Sequence, residues 1–297
     1  MLKRSAVLQN DVVLFVLLTA TVFLTRLPLL DAGYGSDPDA WRVVLVARSL
    51  TTTGEYTVSR FPGFPVHELT ASLFWNAGPA VLNGITAFFS ALGVAWFGLV
   101  LKSLGYKQYW LGSFALAFTV VLFINSTVTL DYLWALHFIL ASFYCVGRDK
   151  PLVGGLLLGL AIGCRVTSVL MVVPLLYYLN SVSPGHQARR RMMLFLFVLL
   201  VTALAGFAPV LAKYGPDAFG LHYKLIYTFS LVDCKKKYRG CVGYSGPSWR
   251  RLWCHLLCRF PEGWNSEPHS TGWKERACTR LDRGSHSLSC DVRRPPA

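Results

Sequence analysis

Two aspartates on either side of a proline, Asp37 and Asp39, follow the first strongly apolar stretch of the chain, in the segment SDPDAWR. Neighbouring carboxylates repel each other, and partial removal from water favours the neutral acid. Both effects increase the affinity of one carboxylate for a proton. A carboxylate of this kind can act as a general base when an acceptor hydroxyl reaches it. Asp39 and Asp37 are therefore candidate catalytic residues.

Helix capping is the structural alternative for this acidic pair. Ser36 or Asp37 can cap a helix whose first residue is Pro38, and Asp39 suits the positive end of that helix. A cap uses one carboxylate, so capping accounts for Asp37 more readily than for Asp39. The helix would carry DAWRVVLVARSL, lie in the plane of the membrane interface and end near Gly54.

Cationic side chains accompany the acidic pair. Arginine binds phosphate with two parallel hydrogen bonds, so arginines beside a carboxylate suit a site for a lipid phosphate and an acceptor. Each one alone is also typical of a snorkelling or interfacial cation. The residues predicted on this side of the membrane are Arg26, Arg42, Arg48, Arg60, His67 and Arg165.

The composition indicates an integral membrane protein. Of the 297 residues, 54% are hydrophobic and only 15% are charged, and the mean hydropathy is +0.44. The net charge of +14 would suggest nucleic acid in a soluble protein. Here much of the excess lies in short clusters between apolar runs, which is typical of loops that set membrane topology.

The apolar runs predict an all-α polytopic membrane domain over residues 1–232, with a long first outer loop at 31–75. The N-terminus is predicted to be cytoplasmic, because Lys3 and Arg4 precede the first apolar run. Basic clusters at 102–107, 148–150 and 189–191 are assigned to the same side. The predicted spans are residues 12–30, 78–101, 110–124, 132–147, 152–163, 165–180 and 192–212.

The apolar stretch 152–180 is too long for one crossing. As a single helix it would measure about 43 Å, more than the hydrocarbon thickness of a bilayer. Two short helices that turn near Arg165 fit both the length and the charge distribution, and they place Arg165 on the side of Asp39. A single tilted helix with Arg165 buried at a helix contact is the alternative.

The last segment, 233–297, is rich in Cys, Arg and Trp and contains no span. A disulfide-bearing tail and a zinc site are possible readings, but the cysteine spacings match no standard zinc pattern. We predict a disordered or aberrant end, from a shifted reading frame or a truncated protein, and no metal site. Cys145 and Cys164 lie in apolar segments and are predicted to be packing residues.

Three motifs resemble the C-type glycosyltransferase (GT-C) superfamily over roughly residues 8–232. SDPDAWRVVLVARSLTTTGEYTVSRFPGFP resembles its first outer loop, GLLLGLAIGCRVTSVLMVVPLL its pair of short helices, and LTRLP the end of its first helix. These membrane enzymes take sugars from polyprenyl-phosphate donors. They include protein O-mannosyltransferases, aminoarabinose transferases and Rgt-type enzymes of the bacterial cell envelope.

The resemblance implies a hexosyltransferase-like enzyme of the plasma or inner membrane that acts on the extracytoplasmic side. It implies Asp39 as the base, with Asp37 as second choice, and Arg165 with Arg60 at the donor phosphate. His67 and Arg42 are further candidates. The acceptor would be an envelope glycan, lipid or protein, and a divalent metal is a possible cofactor. Because family members continue with more helices, the chain is expected to be truncated, which puts its activity in doubt.

Two other classes remain open from the sequence. A polytopic transporter would carry charges inside its spans and broken helices at matching places in two halves. A non-catalytic envelope scaffold is the third hypothesis. Nucleic acid is not an expected partner.

Overall fold

Helices are the regular secondary structure of the described part of the chain. The computed structural model describes residues 2–183 and 185–220, which contain no strand, and the predicted tail 233–297 lies outside them. The α-helices are α1 (Leu2–Leu24), α2 (Pro38–Thr53), α3 (Pro65–Phe74), α4 (Pro79–Ser103), α5 (Tyr109–Ala117), α6 (Val120–Asn125), α7 (Tyr132–Gly147), α8 (Pro151–Cys164), α9 (Val172–Val182) and α10 (Gly185–Tyr214).

Three stretches in the described residues are long and apolar enough to cross a bilayer: Asp11–Leu29, Pro79–Ser103 and Gln187–Tyr214. Shorter apolar helices accompany them at Tyr132–Gly147, Pro151–Cys164 and Val166–Val182. Many large apolar side chains of these helices are exposed, as lipid-facing residues are in membrane proteins. The predicted class, an all-α polytopic membrane protein, is confirmed. That the shorter helices also cross the membrane stays a prediction.

The predicted span 110–124 is interrupted, because α5 ends at Ala117 and α6 begins at Val120. Arg26 lies at this interruption and is fully buried. Its guanidinium donates to the carbonyl oxygen of Ala117 and, at 3.2 Å, to the hydroxyl of Ser126. Its Cζ lies 4.5 Å from the ring centroid of Phe123. Arg26 is therefore a buried link between helices, while the side of the membrane predicted for it stays a prediction.

Helix α8 ends immediately before Arg165, the residue near which a turn was predicted. Arg165 follows the helix with extended backbone angles, φ −157° and ψ 111°. A 3₁₀ segment, Val166–Met171, then leads into α9. The stretch 152–180 is therefore not one continuous helix. Cys145 and Cys164 are buried free thiols, which confirms their prediction as packing residues.

Glycines let α8 pack closely against α10. A Cβ atom added at Gly155 would lie 2.5 Å from the backbone oxygen of Phe195, and one added at Gly159 would lie 2.6 Å from Cβ of Thr202. Small residues at this spacing allow the backbones of membrane helices to approach each other. A Cβ at Gly163 would collide with Val66, so the same row of glycines also brings α3 against the end of α8.

An ion cluster joins three helices at the opposite end of the bundle from Arg165. Asp11 of α1 is almost fully buried. It accepts from Nζ of Lys102 at 2.8 Å and from Nη2 of Arg148 at 2.5 Å. Arg191 pairs at 2.7 Å with Asp149, the residue that follows Arg148 in the chain. We call this the basic end, because the clusters that contain Lys102, Arg148, Lys150 and Arg189–Arg191 lie there.

The substitution Gly155→Ala is expected to destabilise the bundle. Overpacking of this kind costs about 1–3 kcal/mol, and the better helix preference of alanine offsets only about 1 kcal/mol of it. Gly185→Ala is the matched control, since a Cβ there meets nothing within 4 Å. The thermal unfolding midpoints in detergent should fall for Gly155→Ala alone. Equal midpoints for the two variants would contradict close α8–α10 packing.

Candidate functional site

Helix α2 carries the candidate residue Asp39, and a capping residue marks each end of the helix. Asp37 is the N-cap and accepts from the backbone N–H of Asp39 at 2.9 Å, and Pro38 occupies the first helical position. Gly54 ends the helix with φ 72°, a left-handed conformation that suits glycine. Asp37 therefore makes the capping bond that was the structural alternative for this residue, while its catalytic role stays a prediction. Its side chain is used at the cap and takes no part in the ion network described below.

One face of α2 packs against the neighbouring elements, and another face does not. Val43, Val44 and Ala47 are buried against Ala71 and Leu82. Trp41 and Leu45 remain 49% and 62% exposed. Exposed apolar side chains beside a membrane bundle suit a helix that lies in the interface plane.

A buried carboxylate holds the loop between α2 and α3. Glu68 is fully buried and has no cationic partner among the described residues. It accepts from the hydroxyl of Tyr56 and, at 2.8 Å, from the backbone N–H of Ser59. Burial, and then the negative charge of Glu68, raise the pKa of Tyr56 far above its usual value, so this hydroxyl stays protonated and donates. These bonds fix the backbone immediately before Arg60.

A buried amide fixes the other two segments that lead to the site. Nδ2 of Asn83 donates to the carbonyl oxygens of Leu30 and Gly33 at 2.8 and 2.7 Å. Its Oδ1 accepts from the hydroxyl of Thr129 at 2.8 Å. Asn83 therefore holds the start of the first loop next to the turn that precedes Asp131.

Four side chains from distant parts of the chain form a continuous ion network. Arg60 donates from Nη1 to Asp39 at 2.5 Å and from Nη2 to Asp131 at 2.7 Å. Nη1 of Arg165 donates to the second oxygen of Asp131 at 2.8 Å. Arg42 extends the network through Asp39 at 3.1 Å. We call this the Asp39–Arg60–Asp131–Arg165 network, and the end of the bundle that carries it the site end.

Burial differs along the network. The side chain of Asp131 is fully buried, whereas those of Asp39 and Arg165 are 22% and 29% exposed. Burial disfavours the charged form of Arg60, but Asp131 and Asp39 together outweigh this and raise its pKa above the usual value. Arg60 therefore stays charged, as its position between two carboxylates requires.

The network leaves cationic donors for a ligand. With Arg42 it contains three arginines and two aspartates, a formal charge of +1. Among the described residues, Arg165 donates through one terminal nitrogen only, and its guanidinium stacks 3.9 Å from the ring centroid of Tyr132. Its other nitrogens can donate to an anion. The arrangement suits a single phosphate group that approaches from the exposed side of Arg165.

His67 lies beside the network without joining it by a hydrogen bond. It is fully buried against Trp134, with 4.9 Å between the ring centroids, and its Nδ1 has no partner in the described residues. Burial lowers the pKa of His67 to about 4, with the attraction of Asp131 and the repulsion of Arg60 as smaller effects. The imidazole is therefore neutral at pH 7 and packs beneath the charged groups.

The structure thus brings Asp39, Arg60 and Arg165 together, as the sequence reasoning required, while their chemical roles stay predictions. It also places Asp131 between Arg60 and Arg165. Asp131 precedes α7 but makes no capping hydrogen bond, because both of its oxygens accept from arginines. Its signal in the sequence was one acid at the start of an apolar helix. Glu68 and Asn83 gave no recognisable signal.

The described side chains do not fit a divalent cation. Guanidinium groups engage both oxygens of Asp39 and both oxygens of Asp131. A metal ion would have to displace these arginines, which repel it. No cluster of three or more His, Cys, Asp or Glu in the described residues could hold a metal ion.

Fold and site together define an all-α polytopic membrane protein with an arginine–carboxylate network at one end. Its sequence is similar to that of the undecaprenyl phosphate-alpha-4-amino-4-deoxy-L-arabinose arabinosyl transferase of Aeromonas salmonicida (strain A449). The two are 29% identical over 169 residues, a match that covers 48% of this chain and 31% of the relative. This confirms the resemblance to polyprenyl-phosphate-dependent glycosyltransferases and supports a membrane glycosyltransferase at the level of the family.

The match covers about a third of the length of that relative. No family model matches the chain. No solved structure matches it.

Removing the buried carboxylate charge is expected to cost more stability than removing an exposed one. In Asp131→Asn two arginines lose their anionic partner in a buried setting, for which we expect a loss of about 3 kcal/mol in the free energy of unfolding. Asp149→Asn is the control, because Asp149 also pairs with an arginine but is 53% exposed; less than about 1 kcal/mol is expected there. Unfolding of both variants in detergent, followed by circular dichroism, measures the difference. Equal losses would contradict the burial of the network.

His67 is expected to make stability depend on acid. Its pKa is lower in the folded chain, about 4, than the unperturbed 6.5, so the unfolded chain binds its proton more readily. The contribution is complete above pH 6.5 and is lost as the pH falls toward 4, about 2 kcal/mol of it between pH 7 and pH 5. His67→Gln should remove this part of the slope when unfolding is measured at both pH values. An unchanged slope would show that His67 titrates normally.

Proposed function

We propose that this chain is the sugar-transferring membrane part of a glycosyltransferase that uses a polyprenyl-phosphate-linked sugar. The observation that carries the proposal is the Asp39–Arg60–Asp131–Arg165 network, which combines a partly exposed carboxylate with arginine donors at one end of a membrane bundle. The similarity to an undecaprenyl phosphate-dependent arabinosyl transferase supports the donor class.

In this proposal Arg165 binds the donor phosphate. Its guanidinium is held in place by Asp131 and by the ring of Tyr132, and its side chain is 29% exposed. A guanidinium with a fixed orientation stabilises the negative charge that develops on the phosphate as the sugar departs. Arg60 adds its positive charge to phosphate binding from the interior. It also holds Asp131 and Asp39 in position.

Asp39 acts as the general base. The acceptor hydroxyl gives its proton to the Asp39 carboxylate as its oxygen forms a bond with the anomeric carbon. The bond between that carbon and the phosphate oxygen breaks, and the electron pair leaves with the polyprenyl phosphate. The attack from the opposite face inverts the anomeric centre. Because both oxygens of Asp39 accept from arginines, the acceptor has to share or replace the exposed contact with Arg42, whose side chain is 57% exposed.

The site end faces the extracytoplasmic side in this proposal. The basic clusters lie at the other end, and the excess of Lys and Arg in short loops marks the cytoplasmic side of membrane proteins. The membrane is the plasma or inner membrane, and the acceptor is a hydroxyl of an envelope glycan, lipid or protein. Asp37 serves at the helix cap.

Substitution of the base should abolish transfer and spare donor binding. Asp39→Asn is expected to lower the rate of sugar transfer about 10²–10⁴-fold, the usual contribution of a general base. Asp37→Asn should stay within about threefold of the unaltered chain, because asparagine caps a helix as well as aspartate. Transfer of labelled sugar from a polyprenyl-phosphate donor by the full chain in proteoliposomes is the assay. Glu55→Gln, an exposed substitution in the same loop, is the control.

An Asp39→Asn variant that transfers sugar at the unaltered rate would remove this mechanism. Donor binding without transfer in the unaltered chain would instead favour the transporter or scaffold hypotheses.

Loss of the phosphate ligand should appear first in donor affinity. Arg165→Gln is expected to weaken binding of the polyprenyl-phosphate sugar about 10–100-fold, because one or more charge-assisted hydrogen bonds are lost. Arg189→Gln removes the same charge at the basic end and should leave the affinity unchanged. Titration of the purified chain with a fluorescent donor analogue measures both affinities. Equal weakening would point to unspecific attraction of the anion.

A further inference from the structure

A second candidate binding site lies at the basic end, away from the proposed sugar-transfer site. A groove of about 520 Å³ opens between the start of α8 and the first turns of α10. Lys150, Arg190 and Arg191 line it together with Leu152, Val153 and Leu194. The groove therefore combines cationic side chains with apolar ones.

The cations of the groove differ in what already binds them. Arg191 pairs with Asp149, which also lines the groove, at 2.7 Å and donates to the hydroxyl of Ser183 at 3.2 Å. Lys150 and Arg190 are exposed and have no carboxylate partner in the described part of the chain. With Asp149 counted, the groove carries a formal charge of +2, so it attracts an anion that can use Lys150 and Arg190.

The backbone at the start of α8 adds to this attraction. Lys150 is the N-cap residue and makes no side-chain capping bond, and Pro151 is the first residue of the helix. The leading N–H groups of a helix have no partner within it, and the helix dipole places partial positive charge there. This feature supports an anion in the groove but would not define a site without the cavity and its cations.

The apolar lining indicates which anion fits. The membrane-length segment of α10 starts at Gln187, a residue of the groove itself, so the groove lies at the level of the membrane surface. Leu152, Val153 and Leu194 are 50%, 42% and 37% exposed. A soluble anion makes no favourable contact with exposed apolar side chains. A phospholipid places its acyl chains beside them and its headgroup beside the cations.

We propose that this groove binds an anionic phospholipid. The headgroup phosphate contacts Lys150, Arg190 and the start of α8, and the acyl chains lie along Leu152, Val153 and Leu194. Binding there joins α8 to α10 at the end where their glycine contacts begin. The proposal does not depend on the proposed sugar transfer, because the two sites lie at opposite ends of the bundle.

Lipid binding by the full chain tests the proposal. In detergent, native mass spectrometry should show tighter binding of phosphatidylglycerol than of phosphatidylcholine with the same acyl chains. The double substitution Lys150→Gln/Arg190→Gln should weaken phosphatidylglycerol binding about 30-fold, roughly fivefold for each cation. The matched control is Lys107→Gln/Arg189→Gln, which removes the same charge from exposed residues that do not line the groove. It should change the affinity less than twofold.

Three results would overturn the proposal. Equal weakening in the groove variant and its control would show unspecific attraction, and equal affinity for the two lipids would show that charge does not matter. Displacement of the lipid by millimolar inorganic phosphate would show a site for the free anion. Unchanged helix content and unfolding midpoint in both variants ensure that folding is not the cause.

Discussion

The guanidinium of Arg60 joins two carboxylates, Asp39 and Asp131, at the end of an apolar bundle. Its two terminal nitrogens reach Asp39 and Asp131 at 2.5 and 2.7 Å. A fully buried carboxylate such as Asp131 is stable in the charged form only when cations and hydrogen bonds surround it. The segment between α1 and α4, which carries Arg60 and Asp39, is therefore bound electrostatically to the start of α7 and, through Asp131, to Arg165.

Hydrogen bonds and close packing around this network support its geometry. Glu68 fixes the loop before Arg60 by accepting from Ser59, and Asn83 holds the loop of Gly33 next to Thr129. Gly163 lets α3 approach the end of α8, immediately before Arg165. Polar groups buried in this way hold their partners firmly, because leaving one unpaired is costly. These contacts thus hold the charged residues in the positions where they meet.

Charge is separated along the bundle. Arg165 follows the end of α8 and joins the network of the site end, while Lys150 precedes the start of the same helix and lines the groove of the basic end. Between them the helix is apolar and packs against α10 through glycines. Anionic groups of lipids are the ligands that we propose for both ends.

The sequence by itself determined the membrane class, the limits of α2 from Asp37 to Gly54, and the interruption at Arg165. These features depend on composition, on capping chemistry and on the length of an apolar run, all of which act over a few residues. Only the tertiary structure decided that Asp131 is the centre of the network and that Arg26 is buried. Arg60 and Asp131 are 71 positions apart, and Asp131 and Arg165 are 34 apart. Such pairs form only once helix packing has brought their backbones together, and no local preference encodes that approach.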